Sequence, residues 1–142
     1  MLRELLKKMQ RTSSCWGLLI LRVMLGIIFF KAGSGKLLGW FGGPGIEGAT
    51  QFFQSLGIPA PHAQAIFVGC VELLGGSALI LGFLTRLASI PLAVTMVVAI
   101  FTAHKDMDIH FYYALVILCA LIALMDTGPG KISVDHAMSR SD

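Results

Sequence analysis

Residues 68–86 read VGCVELLGGSALILGFLTR. The segment is apolar enough to cross a membrane, yet Glu72 sits near its middle. A carboxylate in hydrocarbon costs roughly 2.5–3.5 kcal/mol on insertion scales, so it needs a partner or a purpose. The rest of the chain agrees with a membrane setting. Of 142 residues, 56% are hydrophobic and 13% are charged, against about 25% charged in a soluble domain. The net charge of +3 is small, and the basic residues form no single face. That argues against nucleic acid as a partner. The length suits one domain over residues 1–142.

Three other stretches share this apolar character. Membrane helices are predicted over about 15–33, 63–84, 87–103 and 109–125, followed by a tail at 126–142. A span needs about 20 apolar residues, with a range of about 17–25. The last two are therefore short and stand upright or thin the bilayer. No run alternates with period two, which argues against a β-barrel. The expected fold is all-α, an antiparallel up-down bundle of four transmembrane helices. The first span is read as a helix rather than a cleaved leader, because Arg22 interrupts it and no small-x-small site follows.

The connections divide into short and long. LTRL and HKDMD are too short for anything but antiparallel hairpins. Between the first two spans lies a long loop rich in glycine and proline. Within it Ile46, Thr50, Phe53 and Leu56 recur at helical spacing. That predicts a short amphipathic helix over about 46–56 on the outer interface. Trp40 and Phe41 suit the headgroup layer. Arg3, Lys7, Lys8, Arg11, Arg86, Lys131 and Arg140 fall on one side of such a bundle, against only Lys36 and Lys105 on the other. Both termini are therefore expected in the cytoplasm.

Within this topology Arg22 lies about 12 Å from the inner edge and Glu72 about 15 Å from the outer one, at 1.5 Å per residue. In a core about 30 Å thick these depths are similar. An Arg22–Glu72 salt bridge is the expectation. Gly26, Gly33, Gly75 and Gly76 flank the two residues and let the backbones approach closely. Such a pair has two readings of equal weight: a structural bridge that fixes helix pairing, or a site for a polar headgroup or a proton path.

Other constellations carry less. AGSGKLL lacks the first glycine of a phosphate-binding loop, and Leu37 stands where Ser or Thr is needed. HKDMDIH offers His104, Asp106, Asp108 and His110, but a solvated turn is the simpler reading and no metal site is assigned. His62 and His136 read as surface histidines. Cys15, Cys70 and Cys119 are isolated, with no C-x-x-C, so thiol–disulfide exchange by this chain is not expected.

The first span and its exit read LRVMLGIIFFKAGSGKL, the second span and its turn VELLGGSALILGFLTRLA, and the tail GPGKISVD. Their order and spacing resemble the DoxX family of small four-helix membrane proteins, over about residues 18–135. The resemblance carries the family pattern onto Gly26, Gly33, Gly75, Gly76, Arg86, Gly128, Pro129 and Gly130 as structural positions. It places Arg22, Glu72, Lys36 and His104 in an intramembrane polar site. One departure is visible: Ala32 stands where many relatives have histidine, with Lys31 next to it.

The family takes its name from a subunit of a thiosulfate:quinone oxidoreductase, and other relatives are linked to thiol and oxidative-stress defence. The resemblance thus implies a bacterial inner-membrane protein, embedded in the lipid bilayer, that serves as a quinone-interacting subunit of an oxidoreductase complex. Arg22 and Lys36 would donate hydrogen bonds to the quinone, and Glu72 or His104 would relay protons. The chain shows no heme, flavin or iron–sulfur motif and no covalently bound cofactor is expected, so electrons would come from a peripheral or membrane redox partner protein. No residue is assigned as catalytic, and self-association is left open. A non-catalytic scaffold or assembly factor is the alternative. A small proton-coupled transporter ranks third, because Arg22 would occupy the carboxylate.

Overall fold

The computed structural model describes residues 15–104, 106–130 and 132–139. Arg3, Lys7, Lys8, Arg11, Lys105, Lys131 and Arg140, most of the charge behind the orientation argument, lie outside the described residues.

Among the described residues six α-helices follow one another: α1 (Cys15–Leu38), α2 (Gly45–Ser55), α3 (Pro61–Leu81), α4 (Thr85–Thr102), α5 (Ile109–Thr127) and α6 (Val134–Ser139). Four of them, α1, α3, α4 and α5, are long and apolar enough to cross a membrane. The fold is the expected all-α bundle, with the short helix between the first two spans. Two ends are distinguished below by what covers them. The loop end carries α2 and the turn Trp40–Gly42, and the tail end carries residues 128–130 and 132–139.

Each span shows one buried stripe. On α3 the buried residues Ala65, Gly69, Glu72, Gly76 and Leu79 recur every three or four positions. On α5 Ala114, Ile117, Leu121 and Leu124 do the same. The remaining faces expose large apolar side chains such as Trp16, Ile20, Leu74, Phe101 and Val116. In water that surface would be a liability; in lipid it is the expected exterior. The central core joins Leu25 and Phe29 of α1, Leu79 of α3, Leu92 of α4, and Ile117, Leu121 and Leu124 of α5. Helix α2 is pinned by its apolar face, with Ala49 and Phe53 packed on Ala65. Its Thr50 hydroxyl lies 3.2 Å from Nδ1 of His62, so that histidine has a partner.

Helices α1 and α3 meet backbone to backbone at several of their glycines. A Cβ at Gly33 would overlap the backbone of Leu73, and one at Gly76 the backbone of Phe30. These contacts fix the antiparallel register: Gly26 faces Gly76 and Ile80, Gly33 faces Gly69 and Leu73, and Gly82 faces Arg22.

That register corrects the pairing read from the sequence. Glu72 lies level with Gly33, so Arg22, eleven positions back along α1, sits about 16 Å away along the axis. Arg22 and Glu72 do not pair. The cause is the length of α1, which runs to Leu38 rather than ending near 33. The five added residues bring Lys36 onto the helix beside Glu72 and shift Arg22 toward the opposite end. Helix α3 runs from 61 to 81 rather than the expected 63 to 84: Pro61 opens it, and Gly82 at φ +71° stops it.

Candidate functional site

At the loop end the four spans part to leave a cavity of about 910 Å³. Its floor is polar. Glu72, 3% exposed on the buried stripe of α3, accepts a 2.5 Å hydrogen bond from the Lys36 ammonium. Lys36 sits in the last turn of α1 and is partly exposed. The cavity wall around the pair is built from Phe29 and Ala32 of α1, Phe67 of α3, Met96 and Ala99 of α4, and Tyr113 and Ile117 of α5. Trp40, Phe41 and Phe52 close the loop side. His104 reaches the rim, where its ring stacks on His110 with centroids 5.8 Å apart. Phe67, Val94, Val98 and Tyr113 line the cavity and are also exposed on the lipid-facing surface. The chamber is therefore continuous with the membrane side of the bundle.

The chemistry available is that of an ion pair in an apolar chamber. Lys36 supplies up to three donors and Glu72 is the acceptor. Removing either partner would strand the other charge, which typically costs about 3–5 kcal/mol.

Arg22 belongs to a different place. It is 2% exposed and lies at the tail end. Its Nη1 donates to the carbonyl of Pro129, and its Nη2 donates to that of Ile132 at 2.8 Å. Of the residues read as one intramembrane site, Glu72, Lys36 and His104 line the cavity and Arg22 does not.

The DoxX family profile matches residues 17–105. The chain belongs to the DoxX family. Relatives cover most of its length. "Putative oxidoreductase CatD" of Bacillus subtilis (strain 168) is 34% identical over 123 residues, 84% of this chain and 84% of that protein. "Inner membrane protein YphA" of Escherichia coli (strain K12) is 34% identical over 129 residues, covering 84% of this chain and 88% of its own. "Inner membrane protein YqjF" of the same organism is 28% identical over 129 residues, 87% and 93% of the two chains. No solved structure matches.

The turn after α3 and the tail meet around Arg22. Gly82 gives α3 its stop, with Phe83 N–H bonding back to Ala78 at 2.9 Å and Gly82 N–H to Leu79 at 3.2 Å, the Schellman arrangement. A Cβ at Gly82 would sit 2.8 Å from the Arg22 guanidinium carbon. Leu84 then takes φ +47°, a left-handed conformation costly for leucine. Asp135 holds it there: its carboxylate accepts from Leu84 N–H at 2.7 Å and Thr85 N–H at 3.0 Å, capping α4 from across the chain. In return Asp135 N–H donates to the Gly82 carbonyl at 3.1 Å. Arg86 donates to the Asp126 carbonyl at 3.2 Å, packed over Gly128, which ends α5 at φ +82° before Pro129. The GPG tail is thus a plug over the bundle.

Two features escaped sequence reasoning. The first span was expected to end near 33, before Lys36, although the apolar pair Leu37–Leu38 after that residue marks a helix that continues. Lys31, seen only as the neighbour of Ala32, lines the cavity and is exposed. A lysine inside an apolar span was the signal.

Proposed function

We propose that this DoxX protein is a quinone-binding membrane subunit of a redox complex, located in a bacterial inner membrane. The observation that carries the reading is the cavity itself, open toward lipid and floored by the Lys36–Glu72 pair. An isoprenoid quinone partitions into the bilayer, so it reaches such a chamber sideways without crossing water. Its ring is flat and apolar with two acceptor oxygens. Aromatic and methionine walls suit the ring, and Lys36 suits an oxygen. Reducing a quinone to a quinol takes up two electrons and two protons. The electrons come from a redox-active partner protein. The protons enter at the rim, with His104 and Glu72 as carriers. Glu72 accepts one when its hold on Lys36 is exchanged for the ligand. The name of the Bacillus subtilis relative, an oxidoreductase, is consistent with this role. In this reading the loop end faces outward and the tail end the cytoplasm, supported by the excess of Lys and Arg on the tail side.

The test uses the chain's two tryptophans, Trp16 and Trp40. A Trp16→Phe protein in lipid nanodiscs reports from Trp40 at the cavity rim. Titration with a short-chain quinone analogue is expected to quench it saturably. Lys36→Ala and Glu72→Gln are expected to abolish saturation. A wild type that shows no saturable response ends the quinone reading and leaves the non-catalytic scaffold in its place.

A further inference from the structure

The cavity lies near the top of the range of about 300–1,000 Å³ found for sites of drug-sized ligands. It has room for more than a flat ring. Its charges do not cancel either. Lys36 and Glu72 neutralise each other, but Lys31 lines the same cavity and its ammonium has no hydrogen-bond or ion-pair partner among the described residues. Lys31 sits seven positions before the end of α1 at Leu38, about 10 Å below the loop end. At that depth a lysine extends its stem along apolar surface and holds its head near the headgroup layer. A cation there, at the edge of an apolar chamber open to lipid, lacks an anion.

We propose that the mouth of the cavity binds an anionic phospholipid, with its phosphate on Lys31 and an acyl chain entering the apolar part of the cavity. The site lies in the same cavity as the proposed quinone but does not depend on it. The phosphate answers the unpaired ammonium, and the chain fills apolar space that the Lys36–Glu72 floor leaves open. A zwitterionic lipid meets Lys31 with its own cation alongside and gains less.

The experiment keeps quinone out. Trp16→Phe protein, with Trp40 as its reporter, is placed in nanodiscs of phosphatidylcholine containing increasing fractions of acyl-brominated lipid. The brominated species is either phosphatidylglycerol or phosphatidylcholine. One lysine near a membrane surface favours an anionic lipid by about fivefold. Half-maximal quenching is therefore expected at about a fivefold lower fraction of brominated phosphatidylglycerol. Lys31→Gln and Lys31→Met should remove that difference with an unchanged melting temperature, and Lys31→Arg should keep it. Equal half-points for the two lipids in the wild type, or a preference that survives both neutral variants, would overturn the site. Loss of the preference on adding millimolar inorganic phosphate at constant ionic strength would make it a free-anion site and overturn the lipid occupant. Because Lys36 and Glu72 stay intact throughout, failure here leaves the quinone test standing, and failure of that test leaves this one.

Discussion

The two ends of the bundle each hold a basic residue of α1, and they treat it in opposite ways. At the tail end Arg22 meets backbone carbonyls of a segment more than a hundred positions away in the chain. At the loop end Lys36 meets a single carboxylate, Glu72. The first arrangement is closed. Glycines at 82 and 128 leave no room beside the two arginines, and Asp135 ties the tail to the start of α4. The second is open, with the pair on the floor of a large cavity. A guanidinium presents several donors in a fixed plane, which suits bracing two carbonyls. An ammonium on a flexible stem lets go of one partner and takes another more readily. The tail end closes over its cation, and the loop end leaves its ion pair facing a cavity.

The largest effect is expected at Arg22. Each charge-assisted hydrogen bond is worth about 1.5–3 kcal/mol, so Arg22→Gln should destabilise by about 3–6 kcal/mol. The loss falls toward the lower figure because Arg22 Nε and the Thr85 hydroxyl are buried there without partners. Thermal unfolding in detergent measures the loss, and limited proteolysis should cut the tail first. A tail that stays protected in Arg22→Gln would erase the contrast between the ends.

Lys36→Met comes next. It leaves Glu72 buried and alone, at a cost of about 3–5 kcal/mol. Pairing it with Glu72→Leu should recover most of that. Unfolding of the two single variants and the double gives the coupling, expected within about 0.5–3 kcal/mol. No recovery in the double variant would mean that the pair is not what holds the floor.

Asp135→Ala removes a helix cap and should lower stability by about 0.5–2 kcal/mol. Quinone-analogue binding should be untouched, since Asp135 lies at the far end from the cavity. A binding defect in this variant would show that the ends communicate.

The smallest effect sharpens the comparison most. Arg22→Gln and Glu72→Gln should add within about 0.3–0.5 kcal/mol, as distant sites do. A larger interaction energy would restore the direct Arg22–Glu72 pair and overturn the register described here.

How far the sequence reached is clear from particular residues. Composition and the length of the apolar runs determine the four spans, because a bilayer core of fixed thickness and an unsatisfied backbone leave a helix as the one solution for such runs. The amphipathic pattern from Ile46 to Leu56 was equally readable, since its apolar face is local. Glu72 was legible as a residue needing a partner, because hydrocarbon tolerates no lone charge. Its partner was not legible. Depth counted from the ends of two spans carries the error of both boundaries, and five uncounted residues of α1 exchanged Arg22 for Lys36. Only close packing resolves this: Gly33 against Leu73 and Gly76 against Phe30 permit one register, and the register decides which cation reaches the carboxylate. The tail motif was visible as a pattern of Gly, Pro and Asp. That it folds back to cap α4 and receive Arg22 depends on contacts between segments far apart in the chain, which no local spacing records.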